Sequence, residues 1–402
     1  MERYLLEFKQ HVVPALGHDA YKGSHGGKIA IVGGSRLYSG APHYAAVSAA
    51  RAGADLVHAF TSTQCAPVLK SYSPDVIVHD AWDESKEVTS VDAHKMWTQW
   101  FSRLDAVVVG PGLGESDHGL DVWKDLISRS HDHRNHYPVV YDADALKFFW
   151  KGEAYAGTRR WSVAKQLERK QKFISVVPKP ERYKGEDDDF FPDGDLDEKD
   201  LKPSFIWDIA TPNKMELFRL IQEGHRLADG RERAESAKKR RRIVTINEID
   251  LEDDAFREEV VGKALKEFAP MHFLLKGKTD WLFLNHVKYS SRASSEFIAL
   301  DVGASAPKRC GGQGDILAGI LATFLGWSFG HAWRSSLMEP YAEWDDESYE
   351  RCRELFISAC ASACFVTRAS VRSAFREHGR GLQASDVLHH ISKTFAKEFD
   401  TP

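Results

Sequence analysis

The run RCGGQGDILAGILATFLG, beginning at Arg309, places three glycines and a carboxylate at the head of a long apolar stretch. Gly311, Gly312 and Gly314 let backbone N–H groups point into one space, and a helix starting there adds the positive end of its dipole. Such a cradle takes an anion, and phosphate is a common one. Asp315 falls where the helix begins, with no cationic partner inside the motif. A carboxylate beside a bound phosphate suits a base rather than a phosphate ligand. The rival reading is an aspartate that merely caps a helix after a glycine turn. No G-x-x-x-x-G-K-[ST] run occurs, and GPGLGE at 110–115 lacks the third glycine of the dinucleotide fingerprint. A nucleotide site must therefore rest on another scaffold.

Four further groups have suggestive types and spacing. KGKTD (276–280) is a polar turn after the apolar run HFLLKG. Asn213 and Glu216 in TPNKMELFR have the three-residue spacing of a helix start, which capping alone explains, while ligand contact is the other reading. Gly112 and Gly114 either admit a close-lying ligand or form an ordinary strand-to-helix turn. Asp142 and Asp144 either orient hydroxyls or Mg²⁺ waters or cap the end of a strand.

The elements that must hold these groups are visible as alternation. KIAIVGG (28–34), DLVHAF (55–60), DAVVVGPGLG (105–114) and PVVYDADAL (138–146) read as buried strands, separated by helix-length connections such as APHYAAVSAARAGADLV. Apolar strands alternating with helices predict an α/β fold with a mainly parallel sheet covered on both faces. Ligands of such sheets bind at the carboxyl ends of the strands, where GGS, GPGLG and DADAL all fall. The C-terminal part reads as helical, with DILAGILATFLGW (315–327) buried nearly all round and RELFISACASACFVTRA (353–369) rich in small residues for close packing.

Composition narrows the partners. The 402 residues are 43% hydrophobic and 28% charged, which is globular usage, and 54 Lys+Arg against 59 Asp+Glu give a net charge of -5. No basic field argues for nucleic acid or an anionic membrane, and a small-molecule partner is expected. Five cysteines, an odd number, and a start without a basic and apolar leader predict a reducing, cytoplasmic setting, without excluding an organellar copy. The most apolar stretches are broken by charge or Gly short of a membrane span, so no membrane association is expected. Residues 181–202 carry 10 acidic and 4 basic residues, and 225–242 carry 8 Lys/Arg against 3 acidic. Segments at about 151–204 and 222–250 are therefore expected to be surface insertions in one domain covering 1–402. The KKRRR run is assigned no function. His131, Asp132, His133 and His136 look like a metal cluster by composition but read as solvated loop histidines. The acidic run around Asp189, Asp193 and Asp200 departs from a calcium loop. Cys360 and Cys364 read as buried small residues.

Taken in order, HGGKIAIVGGSRLYSGAPHYAAVSAARAGADLVHAF, APVLKSYSPDVIVH, VVVGPGLG, DADAL, TPNKMELFRL, LLKGKTD, RCGGQGD and GRGLQASDVL resemble the ATP-dependent (S)-NAD(P)H-hydrate dehydratase family, of the eukaryotic single-domain type. The family usually has DADGL where this chain has Ala145. The resemblance implies the ribokinase-like fold, a three-layer αβα sandwich with a mainly parallel central sheet. It implies repair of hydrated NADH or NADPH with ATP as co-substrate and Mg²⁺ as cofactor, the hydroxyl leaving as phosphate after phosphorylation. Asp315 then becomes the catalytic base and a substrate contact. The nucleotide side is assigned to Lys276, Gly277, Lys278, Thr279 and Asp280, to Ser305, Ala306, Pro307, Lys308, Arg309 and Cys310, and to Gly311, Gly312, Gln313 and Gly314. The hydrated substrate is assigned to Gly112 and Gly114 and to Asn213, Lys214, Met215, Glu216, Leu217, Phe218 and Arg219. Metal ligands and oligomeric state stay open. An epimerase, where the two hydrate stereoisomers must interconvert, is expected as a separate protein. The same cradle and aspartate would serve a ribokinase-like kinase whose product keeps its phosphate, or, without turnover, a nucleotide-binding protein.

Overall fold

The computed structural model describes residues 1–17, 26–85, 100, 103–114, 137–147, 149, 207–232, 245–269, 271–286, 294–335 and 346–400. Its centre is a nine-stranded sheet in the order β3-β2-β1-β4-β5-β6-β7-β8-β9. The strands are β1 (Lys28–Val32), β2 (Leu56–Ser62), β3 (Val76–Trp82), β4 (Ala106–Val109), β5 (Val139–Tyr141), β6 (Ile209–Ala210), β7 (His272–Leu275), β8 (Asp280–His286) and β9 (Ser294–Leu300). Pairings from β3 across to β7 are parallel, and β7-β8 and β8-β9 are antiparallel. The apolar runs form these strands because both faces of the sheet are covered and neither tolerates a polar row.

Alternate side chains along the strands feed two separate cores. Ile29, Ile31, Val108, Val140, Ile209 and Leu274 pack on one face, and Val32, Val107, Val109, Tyr141, Ala210 and Phe273 on the other. The first face is covered by α1 (Glu2–Glu7), α2 (Gly40–Arg51), α5 (Gln313–Arg334), α6 (Asp346–His378) and α7 (Ala384–Phe395). α3 (Ala66–Tyr72) lies over β2 and β3 through Leu69, Ala59 and Val78. The second face is covered by α4 (Lys214–Glu232) and the irregular helical segment 254–268. These are the three expected layers.

The small residues expected to let a helix lie close do so between helices as well. A Cβ on Gly319 of α5 would sit 2.1 Å from the Ala45 carbonyl of α2, so the two helices approach backbone to backbone there. That contact fixes the N-terminus of α5, where Asp315 lies, against α2. By length and composition Glu347–Gly381 could cross a membrane, contrary to the expectation that no stretch would qualify; 78% of its apolar window is buried in the protein, which makes it a core helix. All five cysteines are free thiols, with Cys360 and Cys364 in the core.

The insertion expected at about 151–204 lies outside the described residues, as do the histidines at 131–136, the acidic run at 181–200 and KKRRR. The one expected at 222–250 meets structure at both ends: α4 continues to Glu232, and a short 3₁₀ turn, Ile246–Glu248, follows a capping box at Thr245. Its first eleven residues therefore belong to a helix rather than to a loop.

Candidate active site

Strand order reverses between β1 and β4, the point of an open α/β sheet at whose carboxyl edge ligands bind. The loop after β1 and GPGLG line it together: the Gly34 N–H donates to the Pro111 carbonyl at 2.9 Å. Gly112 has φ +65°, and a Cβ there would meet the Tyr38 carbonyl at 2.9 Å. The turn therefore demands glycine whether or not a ligand approaches. The Gly114 N–H donates to Asp144 Oδ2 at 2.8 Å, and Lys147 pairs with the other oxygen at 2.7 Å. Asp144 thus holds the glycine loop in place.

The next three strands, β5, β6 and β7, lie side by side, and the residues that follow them converge. Thr211 donates to Asp142 Oδ1 at 2.7 Å, and Lys276 donates to the same oxygen at 2.8 Å. A Cβ on Gly314 would lie 3.3 Å from Lys276 Nζ and 3.8 Å from Asp142 Oδ2. The GGQGD motif contains no cation, yet the fold delivers one from the end of β7 to the side of its last glycine. Burial works against the Lys276 charge, but Asp142, Glu216 and Asp315 outweigh it and raise its pKa. The ammonium is charged at every physiological pH.

Two carboxyls of this cluster are poised for proton transfer. Burial, reinforced by Asp142 and opposed by Lys276, lifts Asp315 to about 7. Burial, opposed by Lys276, lifts Glu216 likewise to about 7. A group near 7 can accept a proton and return it at working pH. Asp315 stands in the first turn of the 22-residue α5, whose N-terminal amides supply the anion-binding end of the helix. Gly312 has φ +91°, and a Cβ there would meet both Ala384 of α7 and Tyr44 of α2 at 2.8 Å, so the cradle is closely flanked by both helices.

Beside the cradle opens a cleft of about 670 Å³. Among its lining side chains Lys214, Lys276, Lys278, Arg309 and Arg368 are cationic and Asp280 alone is acidic. That balance suits a polyanion, while Pro307, Leu317 and Val371 offer an apolar wall. Asp280 spends both oxygens inside the protein, accepting from the Gly277 N–H at 3.1 Å and from Arg368 at 2.7 Å. Thr279 donates to Glu252 from its backbone and its hydroxyl. Lys308 is committed to the Arg380 and Leu382 carbonyls, tying its loop to the C-terminal segment. Gln313 donates to the Cys310 thiol at 3.3 Å.

The expected residues fall into two groups. Lys276, Gly277, Lys278, Asp280, Ser305, Ala306, Pro307, Arg309, Gln313 and Gly314 line the one cleft with Asn213 and Lys214. Asp315 follows directly behind Gly314. Thr279, Lys308, Cys310, Gly311 and Gly312 belong to the same turns without lining it. Leu217 and Phe218 face the core beneath α4, Met215 is 47% exposed, and Arg219 is exposed. Asn213 caps α4, its side chain accepting from the Met215 and Glu216 amides at 2.9 and 3.1 Å while its own N–H donates to Glu216 at 2.8 Å. That is the capping box the spacing allowed. Ala145 sits in a 3₁₀ turn without a positive φ, so glycine is not required; the left-handed residue of that loop is Ala143, at φ +49°. Thr211, Arg368 and Tyr44 were not singled out as site residues from sequence, although Thr211 opens TPNKMELFRL and Tyr44 lies in the first of the quoted motifs.

Comparison with known proteins agrees with this geometry. Residues 29–160 match the profile of the NAD(P)H-hydrate dehydratase family. A protein named ATP-dependent (S)-NAD(P)H-hydrate dehydratase from Drosophila pseudoobscura pseudoobscura is 30% identical over 396 residues, covering 98% of this chain and 94% of the relative. Proteins of the same name from Danio rerio and Homo sapiens are 30% and 28% identical, covering 98% of this chain in each case and 88% and 85% of the relatives. Among solved structures, a ribokinase-like superfamily protein from Enterococcus faecalis aligns with TM-score 0.56 at 16% identity, covering 100% of this chain and 96% of that one. The ADP/ATP-dependent NAD(P)H-hydrate dehydratase of Bacillus subtilis, co-crystallized with ATP/Mg²⁺, aligns with TM-score 0.50 at 16% identity, covering 98% and 96%. These structural likenesses establish the ribokinase-like fold.

Proposed function

This chain belongs to the ATP-dependent (S)-NAD(P)H-hydrate dehydratase family, and we propose here how its residues divide the reaction. The activity is ATP-dependent dehydration of the S form of hydrated NADH or NADPH, giving NAD(P)H, ADP and phosphate. Hydroxide leaves poorly from a saturated ring carbon. Phosphorylating the hydroxyl makes phosphate the leaving group, and its departure with a ring proton restores the conjugated dihydropyridine.

In our reading ATP lies in the cleft, with its phosphates toward the cradle and the cationic rim. Asp315 accepts the hydroxyl proton as the oxygen attacks the γ-phosphorus. The amides of the cradle and the Lys276 ammonium offset the charge on the transferring group, since phosphoryl transfer needs position and electrostatic cover more than covalent help. The hydrated dinucleotide occupies the crevice between GPGLG and the start of α4. The observation that carries this reading is the Lys276 ammonium beside Gly314, which places a cation and a carboxyl near neutrality at one helix N-terminus.

Mg²⁺ fits this site through the nucleotide rather than through a protein cage. Among the described residues no group of three or more His, Cys, Asp or Glu is arranged to hold a metal ion. The second oxygen of Asp142, facing Gly314, is the group we assign to waters of a nucleotide-borne Mg²⁺, which would neutralise phosphate charge there. We read the chain as one domain with an insertion at 151–204, working in the cytoplasm as its free thiols suggest, and supplied with the S hydrate by a separate epimerase. The decisive assay incubates the enzyme with ATP and hydrated NADH. We expect ATP turnover to yield NADH with no accumulating phosphoester and Asp315→Ala to stop it while ATP still binds. Unchanged turnover in that variant would remove Asp315 as the base.

A further inference from the structure

We propose that Arg368 is a positioning residue for the nucleotide, acting through Asp280 and the Gly277 carbonyl to hold the 276–280 turn at the cleft. This rests on the reading that the cleft takes ATP. Arg368 lies on α6, 88 positions beyond Asp280, in a part of the chain otherwise given to core packing. Its Nε donates to Asp280 Oδ2 at 2.7 Å and its Nη2 donates to the Gly277 carbonyl at 3.0 Å. The other Asp280 oxygen accepts from the Gly277 N–H at 3.1 Å. Both polar groups of the Gly277 backbone are thus held by one ion pair, and the pair is itself sheltered, with side-chain exposures of 12% for Arg368 and 8% for Asp280.

The turn cannot hold itself. Gly277 has no side chain to pack, and Lys276 and Lys278 on either side point charge into the cleft. Glu252 accepts from the amide and hydroxyl of Thr279. Arg368 and Glu252 therefore hold the turn at different residues, Arg368 through Gly277 and Asp280 and Glu252 through Thr279. A planar guanidinium can reach a carboxylate and a neighbouring carbonyl together, whereas a lysine ammonium carries the charge without that fork. The turn delivers Lys276 to Gly314, so slack in it should first be felt by the nucleotide and only later by the dinucleotide, whose crevice lies on β1 and β4.

The test is steady-state kinetics of the full chain with each substrate varied, for Arg368→Gln, Arg368→Lys, Asp280→Asn and the double variant Arg368→Gln/Asp280→Asn. We expect KM for ATP to rise about tenfold in Arg368→Gln, with KM for the hydrate held within about twofold. Arg368→Lys should fall between that variant and the native protein, and it carries the test if Arg368→Gln does not fold. Because both single changes release the same hold, the double variant should be no worse than the poorer single one. A lower melting temperature with KM for ATP unchanged would overturn the proposal, as would an equal rise in both KM values. Multiplying effects in the double variant would overturn it too, by giving Arg368 a role that bypasses Asp280. Hydrogen exchange of the native protein with a non-hydrolysable ATP analogue tests the cleft separately. Protection at 276–280 and 304–309 supports the nucleotide site, and its absence there refutes that site whatever the Arg368 variants do.

Discussion

Methionine at position 276 preserves most of the side-chain length and removes its charge. In the native protein the ammonium donates to Asp142 at 2.8 Å and pulls against the burial that lifts Asp315 and Glu216 each to about 7. An opposite charge at roughly 4–6 Å depresses a carboxyl by about 1–3 pH units. Losing it should carry Asp315 upward by at least about one unit. A general base works as the carboxylate, so kcat/KM should fall on the acid side of the base's pKa in the free enzyme. With Asp315 at about 7 that limb should lie near pH 7 in the native enzyme, and near pH 8 or above in Lys276→Met. At pH 7 the variant should then lose about fivefold or more beyond whatever is lost on its alkaline plateau, since the native base is itself only about half ionised there. The plateau loss itself measures the cation's cover of the transferring phosphoryl group. The assay follows the near-ultraviolet absorbance of the restored dihydropyridine across the pH range.

Stability has to be separated from chemistry in that experiment. Removing Lys276 strands the Asp142 carboxylate in a buried site, which costs on the order of 3–5 kcal/mol. The double variant Asp142→Asn/Lys276→Met removes both charges and should recover much of that loss. Asp142 raises Asp315 and Lys276 lowers it, so in the double variant the two effects offset and the acid limb should return toward the native position. An acid limb that stays put in Lys276→Met, or moves to lower pH, refutes the idea that Lys276 governs the base.

Other perturbations probe neighbouring parts of the site. Asp315 has a folded-state pKa of about 7 against an ordinary 3.8, so its contribution to stability is full below about pH 4 and is lost as pH rises through about 7. Asp315→Asn should therefore be more stable than the native protein at about pH 8, by up to about 4 kcal/mol, and show no such gain near pH 4, while turnover falls by about 10²–10⁴-fold; thermal melts at both pH values check it. Gly312→Ala places a methyl 2.8 Å from Ala384 and Tyr44 at a φ of +91°, and we expect a loss above about 1 kcal/mol in urea unfolding together with a lower kcat. Asn213→Ala removes the α4 cap at a cost of about 1 kcal/mol in urea unfolding and, since Asn213 lines the cleft, should raise KM for ATP. Ala145→Gly restores the residue usual in the family at a position with ordinary backbone angles, and should destabilise by about 0.5–1 kcal/mol without improving kcat.

The strands were the most legible part of the chain, because a parallel sheet covered on both faces leaves KIAIV, AVVV and VVY as unbroken apolar runs. Ile209–Ala210 escaped notice because two residues carry no periodicity, yet without it β5 and β7 would not be neighbours once removed. That omission bears on the chemistry. Asp142, Thr211 and Lys276 each follow one of three adjacent strands, and Asp142 meets Lys276 across 134 positions of sequence. Local spacing cannot express such a contact. The GGQGD motif therefore looked like a carboxylate and an anion cradle with no cation, when the cation arrives from another strand end. The same holds for Arg368, whose sequence neighbourhood speaks only of small residues packing a helix. Residue type identified Asp315 as a candidate base, but its readiness to act near neutrality comes from burial and from Asp142 and Lys276, which stand in two other motifs that only the fold brings beside it. A proton-transfer site of this kind is encoded in the order of the strands as much as in the motifs at their ends. A change that preserved every motif while displacing β6 should separate Asp142 from Lys276 and silence the enzyme.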